Sequence, residues 1–236
     1  MKAINNTIDA QAVYRIEAAR LSFELLSEAF DALKATLMAI EKKEPHEHTH
    51  QDALNATKFA LQFIDCTHRF FAVLSQIKGF KHKDDRFKKA EVYARKLVGA
   101  RNFAQHLNDE IPKITAETYP ILGAVSWASE DRLTSRTISA GTLPPGTTFH
   151  TLAYDTTERC YNKSVVFNIG NLQIDLSETH YSMHQVHSCL CEWLIESDRV
   201  SDQDVKPNVL VAGTLDDMSS SSIARYLRAK FVVTPS

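Results

Sequence analysis

Long apolar runs are missing from this sequence of 236 residues, and neither sign of charge dominates it. No stretch approaches the roughly 18–20 apolar residues that a membrane-spanning helix needs. The first residues also lack the apolar stretch that is typical of a secretory signal. The formal net charge is only -2, so any attraction to nucleic acid has to come from a local patch. We therefore expect a soluble, cytoplasmic protein without a membrane partner.

Cysteine is scarce as well, with four residues in the chain. Cys189 and Cys191 fall in one predicted helix, where side chains two positions apart diverge by about 200°. Nothing else in a chain of this length suggests a secreted disulfide scaffold, so we predict reduced thiols. The glycine-rich dinucleotide fingerprint, the P-loop lysine and the nucleophile elbow of the serine hydrolases are also missing. We expect no bound cofactor.

The first half of the chain shows a helical period. Apolar residues recur at spacings of three and four in segments that end near residues 44, 77 and 111. Thr7 is a candidate N-cap for the first predicted helix, and Pro45 and Pro112 end the first and the third. Short loops join the helices, which makes neighbours antiparallel. We predict an up-down-up bundle over residues 1–117, completed by another helix or by a second chain.

The second half changes character near Tyr119, where short segments rich in β-branched and aromatic residues begin. The stretch SVVFNIGNLQIDL predicts a hairpin with Gly170 and Asn171 as its two turn residues. Helices are predicted at about 177–197 and 216–230, with a short strand at 209–213. The predicted fold class is α+β. An N-terminal antiparallel bundle of long helices is followed by a small α+β accessory domain over residues 118–236.

One polar motif lies late in the third predicted helix, within the stretch ARNFAQHLNDE. At about 100° per residue, Asn102, His106 and Asp109 form one stripe away from the apolar face, and Arg101 lies on the flank. His106 should therefore face solvent, the second half of the chain or another chain. The same residue types are also typical of an ordinary exposed helix surface. An arginine and a histidine at this spacing are expected about once by chance in such a chain.

The segment Arg101-Asn102-Phe103-Ala104-Gln105-His106 resembles the HEPN superfamily, whose motif is an arginine, a polar residue and a following histidine. The resemblance covers about residues 7–115. It implies a metal-independent endoribonuclease that acts as a homodimer, with two motifs facing each other across a cleft. Arg101 and His106 would then be catalytic, assisted by Asn102. The alternative is the same dimeric bundle without catalysis, serving as an interaction or ligand-binding scaffold.

Elementary chemistry agrees with that implication. RNA cleavage by its own 2′-hydroxyl needs proton transfer and stabilisation of charge at phosphorus. Histidine titrates near neutral pH and can move the proton. Arginine carries a permanent charge on a fork that suits phosphate oxygens. RNA is therefore the expected partner, and a cognate regulatory protein is a further possible one.

The chain between residues 78 and 101 contains nine basic residues against three acidic ones. Such a strip favours phosphate, and its candidate RNA-binding residues are Lys88, Lys89, Arg95 and Lys96. The same basic residues are equally compatible with an ordinary solvent-exposed turn between helices. If the second and third helices fold back near residue 81, Asp65 comes within reach of Arg101. Asp65 then either orients the arginine for function or forms an internal ion pair.

His180, His184, His187 and Cys191 align on one face of the helix predicted at 177–197. Eleven residues of helix span about 16 Å, whereas the ligand atoms of one zinc site lie within about 4 Å of each other. A four-ligand site is therefore excluded, and a half-buried flank packed on the sheet is favoured. The loop with His46, His48 and His50 lacks cysteines and a fixed scaffold. No metal site is predicted.

Overall fold

The computed structural model describes residues 10–80, 82–113, 120–141, 147 and 152–196. Thr7, the predicted strand at 209–213, the predicted helix at 216–230 and the predicted boundary at residue 117 lie outside the described residues. The helices are α1 (Ala10–Glu41), α2 (His50–Leu74), α3 (Asp85–Gln105), the short α4 (Leu107–Glu110) and α5 (Leu176–Glu196). The strands are β1 (Ala124–Ala128), β2 (Ser135–Ser139), β3 (Tyr154–Asp155), β4 (Cys160–Tyr161), β5 (Val165–Ile169) and β6 (Leu172–Asp175).

The long helices form a four-membered bundle. Helices α1 and α2 pack along each other, α3 packs on α2, and α5 packs on α3 and α1. The fourth member of the bundle is thus another helix of the same chain. The apolar stripe predicted for the first helix is buried throughout, and its members are Ala19, Phe23, Leu26, Phe30, Leu33, Leu37 and Ile40.

Four strands form an antiparallel sheet in the order β2-β1-β5-β6, and β3 pairs with β4 separately. The predicted hairpin is present as β5 and β6, with Ile169 opposite Leu172 across the two turn residues. Gly170 has a φ of 53°, whereas Asn171 does not have a positive φ. Glycine at the first turn position with a positive φ is typical of a type II′ turn, whose twist matches that of the flanking strands.

The sheet and the helices share one hydrophobic core. Val125 and Phe167 of the sheet belong to the same buried cluster as Leu26 of α1 and Leu97 of α3. Antiparallel strands that follow long helices and are covered by them on one face make an α+β fold. The predicted fold class is confirmed.

Three predicted helix ends differ from the structure. Helix α1 ends at Glu41 instead of near residue 44. Helix α2 ends at Leu74 instead of residue 77, and the turn that follows reaches Gly79, whose φ is 81°. Helix α3 ends at Gln105 instead of residue 111, because His106 leaves the helical region with φ -111° and ψ 35°. The His106 carbonyl accepts hydrogen bonds from the backbone N–H groups of Asp109 and Glu110. These two bonds form the single turn of α4. The polar pattern continues across this joint, so periodicity alone does not reveal it.

All four cysteines are free and buried. The thiol prediction is therefore confirmed for this fold. Among the described helices, none is both long enough and apolar enough to cross a membrane.

Candidate functional site

Arg101 is held by a carboxylate of the neighbouring helix. Its Nε donates to Oδ1 of Asp65 on α2 at 3.0 Å, and both side chains are 28% exposed. Asp65 also forms an ion pair with Arg69 at 2.5 Å. One carboxylate therefore faces two guanidinium groups, which leaves this part of the α2–α3 surface with excess positive charge.

His68 lies beside this cluster, almost one turn after Asp65 on α2. Burial lowers the pKa of His68, and the positive charges of Arg101 and Arg69 lower it further against the opposing effect of Asp65. The neutral imidazole is the form that these surroundings favour. The unusual polarity of the sequence FIDCTHRFF was the signal for this group, although only Asp65 was predicted as a site residue.

His106 lies at the joint between α3 and α4. Its backbone N–H donates to the carbonyl of Asn102 at 2.9 Å, so the two residues are one helical turn apart. Asn102 is exposed, and the His106 side chain is 62% exposed. The nearest acidic group is Asp109, whose Oδ2 lies 3.9 Å from His106 Nδ1. The helical phase predicted a histidine turned away from its own core, and in the described chain it faces solvent.

Arg101 and His106 occupy different sides of α3. Five residues at about 100° each place them about 140° apart around the helix axis. Arg101 extends over α2, whereas His106 is on the open side. Within the described chain, no hydrogen bond or ion pair links the two side chains. A single chain therefore presents the motif as two neighbouring surface groups and not as one closed pocket.

The β5–β6 turn packs on α3 next to the motif. A Cβ atom at Gly99 would lie 3.2 Å from Leu172, and one at Gly170 would lie 2.5 Å from the ring of Phe103. The sheet therefore approaches α3 closely at Gly99 and Phe103, on either side of Arg101 in the sequence. From the sequence, the second half of the chain was one of three possible neighbours of His106, but its contact with Gly99 and Phe103 was not predicted. A glycine inside a helix was the available signal for such a close approach.

The basic strip is largely paired with carboxylates. Lys88 contacts Asp85 at 3.1 Å, Lys89 contacts Glu178 at 3.6 Å, and Arg95 contacts Glu91 at 2.7 Å. The fourth candidate, Lys96, lies over the ring of Tyr93 at 5.9 Å. These side chains are exposed, so such pairs are weak and a phosphate can replace the carboxylate partner. The unpaired positive charge of the strip is therefore smaller than the count of basic residues suggests.

The histidines of α5 pack on α1 and not on the sheet. His187 stacks on Phe23 with ring centres 3.8 Å apart, and His180 stacks on Phe30 at 4.2 Å. The predicted half-burial is right, but the predicted partner is wrong, because α5 completes the bundle. Burial lowers the pKa of both His180 and His187 to about 4.

Metal-binding groups do not converge in the described part of the chain. His184 Nε2 lies 3.0 Å from His180 Nε2, but no group of three or more histidine, cysteine, aspartate or glutamate side chains there could hold a metal ion. In the histidine loop, His50 is the first residue of α2, and the His48 ring contacts the carbonyl oxygen of Ile40 at 3.2 Å.

Comparisons of this chain with protein-family models, with curated proteins and with solved structures found no match.

Proposed function

We propose that this protein is a cytoplasmic, metal-independent endoribonuclease that acts as a homodimer, with Arg101 and His106 as catalytic residues and Asn102 assisting. The observation that carries the proposal is the pairing of a fixed arginine with an exposed histidine at the end of α3. Asp65 fixes the guanidinium at 3.0 Å, and His106 is 62% exposed. A pre-positioned cation and a titratable base are what phosphodiester cleavage requires.

The reaction is an attack of the RNA 2′-oxygen on the adjacent phosphorus. His106 takes the proton of the 2′-hydroxyl, a new bond forms between the 2′-oxygen and phosphorus, and the bond to the 5′-oxygen breaks. Arg101 stabilises the charge that develops on the phosphate oxygens. The leaving 5′-oxygen receives a proton from the equivalent histidine of a second chain, so the proton balance closes across the dimer.

The arrangement of the motif favours a dimer. Because Arg101 and His106 lie about 140° apart around α3, they converge poorly on one phosphate within a chain. Two copies that face each other through the open side of α3 would bring each histidine opposite the other chain's arginine. The exposed Asn102 lies one turn before His106 and would contact the same phosphate. Lys88, Lys89, Arg95 and Lys96 would exchange their present partners for RNA phosphates.

A second candidate function is a dimeric scaffold without catalysis. The observation that favours it is the pairing of Lys88, Lys89 and Arg95 with carboxylates, which weakens the attraction for RNA. In this case the exposed face of α3 would bind a protein or a ligand. An RNA-cleavage assay distinguishes the endoribonuclease from the scaffold.

The test uses the purified full chain and a long unstructured RNA, with a chelator present. We expect wild-type protein to cleave the RNA, and Arg101→Ala and His106→Ala each to lower the rate by about a hundredfold. His46→Ala is the matched control, because His46 is an exposed histidine of the loop before α2. Light scattering at the assay concentration should show a dimer.

Cleavage that survives both substitutions would remove Arg101 and His106 from the mechanism. Wild-type protein that binds RNA or a partner but leaves RNA intact would support the scaffold function. A monomeric protein that cleaves at full rate would contradict the arrangement across two chains.

A further inference from the structure

A cleft lies between the C-terminal half of α1 and the sheet, and none of its lining residues belongs to α3. Its centre is Trp127 of β1, which pairs with Arg136 of β2 and with Val165 of β5. Residues that pair across antiparallel strands point to the same face, so these three side chains form one row. Trp127 lines two adjoining cavities of about 600 and 480 Å³, and the last turn of α1 at Glu41 borders both.

The smaller cavity has the composition of a small-molecule site. Phe30, Leu37 and Met38 of α1 form one apolar wall, and Val165 of β5 belongs to the other. Met38 is 53% exposed although it lies beside this apolar surface. A volume of 480 Å³ falls within the range of about 300–1,000 Å³ that is usual for sites of small organic ligands.

Trp127 lines the cleft, and its indole carries a hydrogen-bond donor. The side chain is only 5% exposed, and its Nε1 is fully buried without a hydrogen-bond partner among the described residues. An indole N–H can only donate. Buried donors without an acceptor are rare in folded proteins, and each calls for an explanation. The atom is fully buried, so it lies inside the wall, and its resonance reports on how the indole packs against the cleft.

The charged groups around the smaller cavity favour an anion. Lys34, Lys42 and Lys163 line it, and in the described part of the chain none of them forms an ion pair. The acidic groups there are Glu41 and Glu130, and the Glu41 carboxylate already accepts the backbone N–H of Glu130 at 2.9 Å. Three lysines against two glutamates leave one excess positive charge at the opening.

We propose that this cleft binds an apolar monocarboxylate. Its hydrocarbon body lies against Trp127, between the apolar wall of α1 and Val165, and its carboxylate oxygens accept hydrogen bonds from the lysine ammonium groups. The inference is independent of the proposed cleavage reaction, because the cleft shares no residue with the motif on α3.

The probe is decanoate, added to the ¹⁵N-labelled full chain. The two tryptophans give two indole N–H resonances, and Trp127→Phe identifies its own resonance by loss. If that variant does not fold, Trp193→Phe identifies it by retention, because Trp193 packs on Phe80 outside the cleft. We expect decanoate to shift the Trp127 resonance in a saturable manner while the Trp193 resonance stays in place.

Charge variants test the anion preference in the same titration. Lys163→Glu and Lys42→Glu should each weaken decanoate binding by about fivefold. Lys58→Glu is the matched control, since Lys58 is an exposed lysine of α2 that does not line the cleft, and it should leave the affinity unchanged. Methyl decanoate, which has no charge, should bind more weakly than decanoate.

Three results would overturn the proposal. In the first, decanoate does not shift the Trp127 resonance. In the second, it shifts both indole resonances equally. In the third, decanoate binds wild type, Lys163→Glu and Lys42→Glu with the same affinity. An ester that binds as tightly as the carboxylate would overturn the assignment of an anion.

Discussion

The single histidine that follows the last residue of α3 and the histidines of α5 lie in opposite surroundings. His106 at the end of α3 is 62% exposed, and its nearest acidic group is an exposed aspartate 3.9 Å away. His180 and His187 of α5 stack instead on phenylalanines of α1 at 4.2 and 3.8 Å. The same residue type therefore serves as a surface group in one helix and as a packing element in the other. The difference comes from what covers each helix face.

The covering of a face also determines which chemistry a histidine can perform. On α5, stacking and burial favour the neutral imidazole, and the bundle would lose contacts if these rings moved to meet a substrate. On α3, the open face leaves His106 free to approach a phosphate. Of these two faces, only the α3 face is open enough for the proposed cleavage reaction, and the α5 face is the more important one for stability.

The largest expected effect on stability comes from removing the ring that α5 packs against. Phe23→Ala should lower the free energy of unfolding by about 3 kcal/mol, because Phe23 is buried and stacks on His187. His106→Ala, the matched variant on the open face, should change it by less than about 0.5 kcal/mol. Urea unfolding followed by circular dichroism measures both. Equal losses in the two variants would contradict the assigned difference between the faces.

The second effect is a loss of stability in acid. The pKa values of His180 and His187 are about 4 in the folded chain, below the ordinary value of 6.5, because burial disfavours the charged form. Between these values the unfolded chain binds more protons than the folded chain. The free energy of unfolding should therefore fall as the pH drops from about 6.5 to about 4.

The double variant His180→Phe, His187→Phe isolates this acid effect. It replaces both imidazoles by rings that do not titrate, so the slope over this pH range should flatten, while unfolding at neutral pH serves as the reference. A slope as steep as that of the wild type would show that other groups cause the loss.

A third effect concerns the turn that packs beside the motif. Gly170→Ala should lower the free energy of unfolding by about 1–3 kcal/mol, because alanine disfavours a φ of 53° and its Cβ would lie 2.5 Å from the Phe103 ring. Asn171→Ala, at the neighbouring exposed position without a positive φ, should cost less. Thermal unfolding of both variants measures the difference. A smaller loss for Gly170→Ala would argue against close packing of the turn on α3.

The smallest expected effect on stability comes from removing the ion pair between Asp65 and Arg101. Asp65→Asn should lower the free energy of unfolding by about 1 kcal/mol or less, because both partners are partly exposed. If Asp65 positions Arg101, RNA cleavage should fall much more than stability does. Arg69→Ala removes the other guanidinium on the same carboxylate and should affect cleavage less, because Arg69 is 62% exposed. Equal losses of cleavage would argue against the positioning of Arg101.

Local patterns allowed much of the fold to be predicted. The spacing of Phe23, Leu26, Phe30 and Leu33 identified the buried face of α1, because a helix returns to the same side after three or four residues. The pair Gly170-Asn171 located the hairpin, because the turn needs a positive φ that glycine adopts without strain. The break at His106 was missed, since one residue with altered φ and ψ leaves the polar pattern unchanged.

The candidate site was predictable only in part. Helical phase put His106 on an outward face, and the fold-back of two helices put Asp65 near Arg101. The approach of the β5–β6 turn to Gly99 was not predictable, because it depends on packing between segments far apart in the chain. The row around Trp127 was missed for the same reason, since three separate strands contribute to it.

The sequence by itself determined the period of each helix, the position of the β5–β6 hairpin and the side of α3 on which the motif lies. These properties depend on the chemistry of residues a few positions apart. The tertiary structure alone decided that α5 completes the bundle, that its histidines stack on α1, and that a cleft opens beside Trp127. Each of these depends on which distant surfaces meet, and burial and the pairing of polar groups follow from that contact.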